Sequence, residues 1–159
     1  HGIRATTDPD TQDISFVLVA YDSELTYKKL TDTCRILQTR PVTFLATNPD
    51  LVCPVSFGFI PDCGSMSIML KNATGKEPFF IGKPQPIMVD CVLKNTGCSA
   101  GEAVIVGDRL YTDIATGKNA GVDAICVLSG EATLKDIEDG DIKPDFLFRD
   151  VKEIWQKLR

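Results

Sequence analysis

Several residue types that build reactive sites are scarce in this sequence. Its 159 residues contain one histidine, His1, and the six cysteines form no C-x-x-C pair. Structural zinc sites usually need such pairs or nearby histidines, so the sequence disfavours a zinc site. The polar first ten residues do not resemble a signal peptide, and we therefore expect the cysteines to be reduced, small apolar residues that are partly buried.

Long apolar runs and concentrated positive charge are also missing. No run approaches the roughly 18 apolar residues that cross a membrane. The net charge is −5 and the lysines and arginines are dispersed, so the chain has no basic stripe to attract nucleic acid or anionic lipid. We expect a cytoplasmic protein with no nucleic-acid or membrane partner.

Strand-length apolar runs alternate with helical patterns along the chain. The runs ISFVLVA (Ile14–Ala20), VTFLA (Val42–Ala46), AVIV (Ala103–Val106) and DAICVL (Asp123–Leu128) are continuous rather than alternating. Continuous apolar strands are typical of parallel sheets that are covered by helices. The sequence therefore predicts an α/β fold with Rossmann-like parallel sheets.

Helical periodicity predicts which apolar faces are buried. The first helix, capped by Ser23 or Thr26, is expected to bury a single face. That face carries Tyr27, Leu30, Cys34 and Leu37. Further helices are expected over Ser65–Thr74 and after Thr112. The helix in PIMVDCVLKNT is expected to bury Ile87, Met88, Cys91 and Val92. The segment from residue 47 to residue 65 contains three prolines and is expected to be a loop.

Two carboxylates follow the run AVIV, in the stretch AVIVGDRLYTDIATG. Asp108 comes at the carboxyl end of a predicted strand, where ligands of parallel α/β sheets collect, and Asp113 lies in the first turn of the next helix. Neighbouring carboxylates repel each other unless a cation lies between them, and magnesium needs few protein ligands when a phosphate supplies the others. Alternatively, Asp108 caps the helix and Asp113 favours its dipole, effects worth about 0.3–1 kcal/mol.

Lys83 follows another short strand, in FFIGKPQP. A glycine before it and prolines after it shape the turn in which it lies. A fixed ammonium near two carboxylates and a metal would neutralise phosphoryl oxygens. A single lysine in such a turn is more often solvated, but a lysine followed about 25 residues later by GDRLYTD is a more specific pattern.

These segments resemble the third and fourth motifs of haloacid-dehalogenase-type (HAD) phosphatases, in the branch of NagD and the p-nitrophenylphosphatases. The motifs are GKPQP and VIVGDRLYTDIATGKNAGVDAICVLSG, and FVLVAYDSELTYKKL, FLATNPD and IPDCGS resemble the same branch. The resemblance implies magnesium-dependent hydrolysis of a small phosphorylated metabolite. It also implies that Asp108 and Asp113 serve the metal and that Lys83 steadies the nucleophile and the phosphoryl group.

The opening D-x-D-G-T motif of this family, which carries its aspartate nucleophile, is absent from the sequence. The nearest string is DSELT (Asp22–Thr26), in which Leu25 replaces the turn glycine and Glu24 the second aspartate. We interpret DSELT as part of a cap domain, although it could also stand for the nucleophile motif. Residues 1–75 are then a partial α/β cap, residues 76–159 are the C-terminal half of the HAD core, and the chain lacks the N-terminal nucleophile segment.

Three expectations follow from this interpretation. The isolated chain is expected to be inactive, and pairing with a second copy or with the N-terminal segment would cover its open sheet edge. Asn48 and Asp50 are expected to contact the substrate, unless Asn-Pro-Asp only forms a turn that bonds its own backbone. The alternative function is a non-catalytic phosphate-binding or oligomerisation module.

Overall fold

A computed structural model describes residues 2–159, which leaves the histidine at position 1 outside the described part. The chain divides into two compact units, residues 2–81 and 82–159. The predicted division lay at residues 75 and 76. The short strand at Phe79–Phe80 hydrogen-bonds to a strand of the first unit and therefore belongs to that unit. The assignment of the two units as cap and core stays a prediction.

The first unit contains a three-stranded parallel sheet, two helices and a hairpin. Its elements in chain order are β1 (Phe16–Val19), α1 (Tyr27–Thr39), β2 (Thr43–Ala46), β3 (Val52–Val55), β4 (Gly58–Pro61), α2 (Cys63–Thr74) and β5 (Phe79–Phe80). The sheet has the order β1-β2-β5. Leu37 from α1, Phe44 from β2 and Leu70 from α2 form its buried core.

The start of α1 confirms one of the two expected caps. Thr26 is the N-cap, and its hydroxyl accepts a hydrogen bond from the Lys29 amide. Leu30 and Cys34 pack against the core as predicted. Tyr27, however, is 84% exposed, because the apolar face of the helix begins one turn later.

The predicted loop between residues 47 and 65 was partly wrong. It contains the antiparallel hairpin β3–β4, in which Pro54 faces Phe59 and Val52 faces Pro61. Proline is tolerated in such a ribbon because both outer edges are unpaired, so its missing N–H breaks no ladder. The next helix also begins earlier than expected, at Cys63, where Asp62 is the N-cap.

The second unit contains another three-stranded parallel sheet. Its elements are α3 (Ile87–Thr96), β6 (Val104–Gly107), α4 (Ala115–Ala120), β7 (Asp123–Val127), α5 (Leu134–Asp139), β8 (Phe146–Phe148) and α6 (Val151–Lys157). The strand order is β6-β7-β8. Ile114, Ala124, Cys126 and Ala132 form its buried core. The two parallel sheets with their helices confirm the predicted α/β fold class.

The expected burial of α3 was wrong. None of its residues is buried, and Met88 and Val92 are each 56% exposed. Cys91 and Cys98 are exposed as well, whereas Cys63 and Cys126 are buried. Periodicity identifies the apolar side of a helix, but burial also needs a second layer against that side, and the sequence pattern does not reveal whether one is present.

The start of β7 is held by a carboxylate. Asp145 contacts the ammonium of Lys118 at 2.5 Å and accepts a hydrogen bond from the Ala124 amide at 2.8 Å. The hydrogen bond from Lys118, followed by the Ala124 amide, lowers the pKa of Asp145 below its ordinary value of 3.8. The folded chain therefore binds this proton less readily than the unfolded chain.

This pKa shift predicts a pH-dependent contribution to stability. The contribution is fully present above the unfolded pKa and is lost as the pH falls through the lowered folded pKa. Asp145→Asn should therefore lower the urea midpoint at about pH 5 and above, and the difference from wild type should close in acid. Lys118→Met, which removes the larger cause, should reduce this pH dependence without abolishing it. A constant difference at every pH would contradict the assignment.

Candidate active site

An unusual helical turn connects β6 to α4. Residues Leu110–Ile114 form one π-helical turn, and the Ile114 amide donates to the Arg109 carbonyl at 3.1 Å. The helix thus begins before Thr112, earlier than the sequence predicted, and becomes regular at Ala115. Single π turns are frequent at functional sites because the wider turn redirects side chains. Here the turn accompanies a buried Asp113, which is only 7% exposed.

Asp113 and Lys83 form the central contact of the site. The Lys83 ammonium lies 2.5 Å from Asp113 Oδ1, and the Arg109 amide donates to Asp113 Oδ2 at 3.2 Å. The side chains are 45% and 10% exposed, respectively, so the carboxylate is the shielded partner. A shielded carboxylate without a cation would be strongly destabilising. The structure thus brings together two of the three side chains that the sequence predicted to converge.

The turn that carries Lys83 is tied down on both sides. The Gln85 amide donates to the Gly82 carbonyl at 3.0 Å. The Asn119 side chain, at the end of α4, donates to the Pro84 carbonyl at 2.8 Å. These hydrogen bonds fix the backbone from which Lys83 reaches Asp113.

Gly107 is required by the close approach of Asp113. A Cβ at Gly107 would lie 2.2 Å from the Asp113 Cβ and 2.3 Å from its Cγ. These distances are far below contact, so only glycine fits between the strand end and the carboxylate. The G-D pair of the motif therefore follows from packing.

Asp108 is held by the loop that follows β7. Its Oδ2 accepts a hydrogen bond from the Glu131 amide at 2.8 Å, and its carbonyl accepts from the Ala132 amide at 2.9 Å. A Cβ at Gly130 would lie 2.0 Å from Asp108 Oδ2. Glu131 also forms an ion pair with Arg109, with Nε and Oε2 2.7 Å apart. No role was predicted for Gly130 and Glu131 from the sequence, although S-G-E directly follows a predicted strand, where ligand-binding loops occur.

Cys126 lies beside both aspartates. Its strand position pairs with Gly107, and it is fully buried. Burial raises the pKa of the Cys126 thiol, and the negative charges of Asp108 and Asp113 raise it further. The thiol therefore stays neutral and adds no charge to the two carboxylates.

The oxygen ligands that Asp108 and Asp113 offer are of the kind that hard cations prefer. Within residues 2–159 no group of three or more His, Cys, Asp or Glu side chains is arranged to hold a metal. Both Asp113 oxygens accept from protein donors, and Asp108 Oδ2 accepts from the Glu131 amide. Magnesium is commonly bound by one or two carboxylates, with substrate phosphate completing its shell. The carboxylates of Asp108 and Asp113 are of the ligand type that could hold such an ion.

A family model described as HAD-hydrolase-like matches residues 80–154, the segment that contains Lys83, Asp108 and Asp113. This segment is therefore similar to proteins of the haloacid-dehalogenase superfamily. An acid sugar phosphatase of Staphylococcus aureus is 35% identical over 145 residues, which make up 91% of this chain and 56% of that relative.

Solved structures with the HAD fold are similar to nearly the whole of this chain. A 4-nitrophenylphosphatase from Thermotoga maritima gives a TM-score of 0.88 at 38% sequence identity. The alignment covers 96% of this chain and 57% of the T. maritima chain. NagD from E. coli K-12 gives a TM-score of 0.82 at 32% sequence identity. That alignment covers 96% of this chain and 58% of the NagD chain. The chain thus spans a little over half the length of these HAD relatives.

Asn48 and Asp50, expected at the substrate of a HAD phosphatase, lie in the first unit. The Asn48 side-chain amide donates to Asp50 Oδ2 at 2.9 Å, and the Thr47 hydroxyl donates to Asn48 Oδ1 at 2.9 Å. The Gly64 amide donates to the Asp50 carbonyl at 2.8 Å. Two of these contacts are local and the third comes from the start of α2, and a role of Asn48 and Asp50 in substrate binding stays a prediction.

Asp22, in the string nearest to the HAD nucleophile motif, stabilises the start of α1. Its Oδ1 accepts from the Glu24 amide at 2.8 Å, and its Oδ2 contacts the Lys29 ammonium at 2.7 Å. The hydrogen bond from Lys29, then that from the Glu24 amide, lowers the pKa of the Asp22 carboxyl. Both oxygens are therefore engaged in local structure.

Proposed function

We propose that this chain supplies the metal and phosphoryl-binding part of a magnesium-dependent HAD phosphatase that acts on a small phosphorylated metabolite in the cytoplasm. The contact between Lys83 and Asp113 carries the proposal. This contact fixes the positively charged Lys83 ammonium at the turn after β6, which begins with Asp108. The names of the relatives, acid sugar phosphatase and 4-nitrophenylphosphatase, support phosphate-ester chemistry.

Each residue has a distinct task in this proposal. Asp108 binds the magnesium ion through its carboxylate. Lys83, held by Asp113, neutralises phosphoryl oxygens and steadies the nucleophile. Magnesium, when bound, would stabilise negative charge on the phosphoryl oxygens. Asp113 supports this arrangement by fixing Lys83, and its direct contact with the metal stays a prediction.

An aspartate nucleophile from a separate polypeptide segment would complete the site. The reaction class needs a nucleophile that accepts the phosphoryl group, and the 159 residues contain no D-x-D-G-T. In the described sheet of the second unit, β6 lies at one edge, and its Val104 and Val106 are 50% and 44% exposed. An unpaired parallel edge favours addition of another strand. We propose that a nucleophile-bearing segment or a second copy of the chain pairs there.

Calorimetry with inorganic phosphate tests the binding half of this proposal. Phosphate should bind to the chain only when magnesium is present. Asp108→Ala should weaken that binding at least about tenfold, since even the loss of an outer-shell partner of a metal typically costs that much. The chain alone should not hydrolyse p-nitrophenyl phosphate above background.

The matched control for this experiment is Asp139→Ala. Asp139 is exposed at the end of α5, and its replacement changes the net charge by the same amount. This variant should bind phosphate as the wild type does. Magnesium-independent binding, or equal weakening in both variants, would contradict the proposed site.

The missing D-x-D-G-T motif also favours a second candidate, a phosphate-binding module without catalysis. The two candidates differ when a synthetic polypeptide segment that carries a D-x-D-G-T motif is added in trans. Magnesium-dependent turnover of p-nitrophenyl phosphate would support the phosphatase. Magnesium-dependent phosphate binding without turnover would support the module.

A further inference from the structure

We propose that the ion pair between Arg109 and Glu131 positions the carboxylate of Asp108. In this assignment Arg109 and Glu131 are positioning residues, since they act through Asp108. The ion pair and the hydrogen bonds to Asp108 are contacts within the chain itself. The consequence for metal binding rests on the proposed function.

Three contacts show that Asp108 and the loop after β7 are fitted to each other. The Glu131 amide donates to the Asp108 carboxylate, and the Ala132 amide donates to the Asp108 carbonyl. Gly130 leaves no room for a side chain, because any Cβ there would overlap the Asp108 carboxylate. The carboxylate orientation therefore depends on how closely this loop approaches.

The buried Ala132 anchors the far end of this loop, but the residues before it are exposed. Ser129, Gly130 and Glu131 are exposed, and a glycine in an exposed loop adds conformational freedom. The Arg109 guanidinium contacts the Glu131 carboxylate at 2.7 Å and so closes a second link between the turn after β6 and the loop after β7. With the hydrogen bond from the Glu131 amide to Asp108, the two links form a ring.

Arg109 also connects the two halves of the site. Its backbone amide donates to Asp113, the partner of Lys83, and its side chain binds the loop that holds Asp108. A shift of Arg109 would therefore alter both carboxylates. The side chains of Arg109 and Glu131 are 32% and 47% exposed, so the effect of breaking the pair should be modest but measurable.

Amide proton exchange, measured by magnetisation-transfer NMR on the full chain, tests the geometric claim. Glu131→Gln should raise the exchange rates of the amides at residues 131 and 132 about two- to fivefold, the range expected from a partly exposed ion pair. Arg109→Gln should do the same. The double variant should add nothing to either single change, because both remove the same interaction.

Glu77→Gln is the matched control. Glu77 forms an exposed ion pair with Lys71 in the first unit, at 2.6 Å. This variant should leave the exchange of both amides unchanged. Unchanged exchange in Glu131→Gln, or additive effects in the double variant, would overturn the positioning role.

Manganese, a spectroscopically visible substitute for magnesium, supplies the functional readout. Electron paramagnetic resonance of free Mn²⁺ should give a dissociation constant that rises about two- to fivefold in Glu131→Gln and stays constant in Glu77→Gln. Equal constants in the wild type and Glu131→Gln would overturn the link to metal binding. If the wild type binds no Mn²⁺ but the exchange effects are present, the proposed function fails while the positioning of Asp108 stands.

Discussion

Replacing Gly107 with alanine is expected to destabilise the second unit by about 1–3 kcal/mol, the usual cost of forcing extra volume into a packed site. The added methyl group would lie 2.2 Å from the Asp113 Cβ and 2.3 Å from its Cγ. These atoms are next to the backbone of the π-helical turn, so they cannot rotate away as the end of a flexible side chain does. The turn itself has to shift.

The same shift should separate Asp113 from Lys83. We therefore expect Gly107→Ala to lose magnesium-dependent phosphate binding as well as stability. Urea unfolding followed by fluorescence of Trp155, the only tryptophan and a residue of the second unit, measures the first effect. Calorimetry with phosphate and magnesium measures the second.

Gly101→Ala is the control for Gly107→Ala. Nothing lies within 4 Å of a Cβ at Gly101, and its backbone has no positive φ. This variant should stay within about 0.5 kcal/mol of the wild type, as surface substitutions usually do. Equal stability of the two alanine variants would contradict the close packing of Gly107 on Asp113.

Replacing Ile114 with alanine should cost about 2–5 kcal/mol of unfolding free energy, the range for large-to-small changes in cores. Ile114 has no exposed surface and packs with Ala124, Cys126 and Ala132. The three buried neighbours are too small to fill the volume that the Ile114 side chain leaves. The loss should appear in the Trp155 transition on urea unfolding.

Met88→Ala is the comparison for Ile114→Ala. Met88 is 56% exposed on α3, so its truncation opens no cavity. We expect a change of no more than about 0.5 kcal/mol. A loss comparable to that of Ile114→Ala would show that a further layer covers α3 in solution.

The contact of Lys83 with Asp113 was predictable because it depends on topology. Side chains that follow parallel strands or begin the next helix gather at one sheet edge, and the sequence marks those positions with apolar runs and glycines. The cap of α1 at Thr26 was predictable for a similar reason, since it depends only on local hydrogen bonds.

Features that depend on distant partners were not predictable. The hairpin β3–β4 was missed because Pro54 and Pro61 suggest a loop, and only the open edges of the ribbon make them acceptable. The exposed face of α3 carries the apolar pattern of a buried one. Glu131 reaches Asp108 through its backbone amide, and such a contact leaves no trace in residue type.

Because Lys83 is paired with Asp113, its side chain loses rotamer entropy when the chain folds and not when a ligand binds. A free lysine loses up to about 2 kcal/mol of rotamer entropy when it is immobilised. Here the ammonium is already fixed at 2.5 Å from its carboxylate, and an amide of Asn119 holds the backbone beside it. That entropy is lost when the chain folds, so an anion that meets this ammonium finds it preorganised.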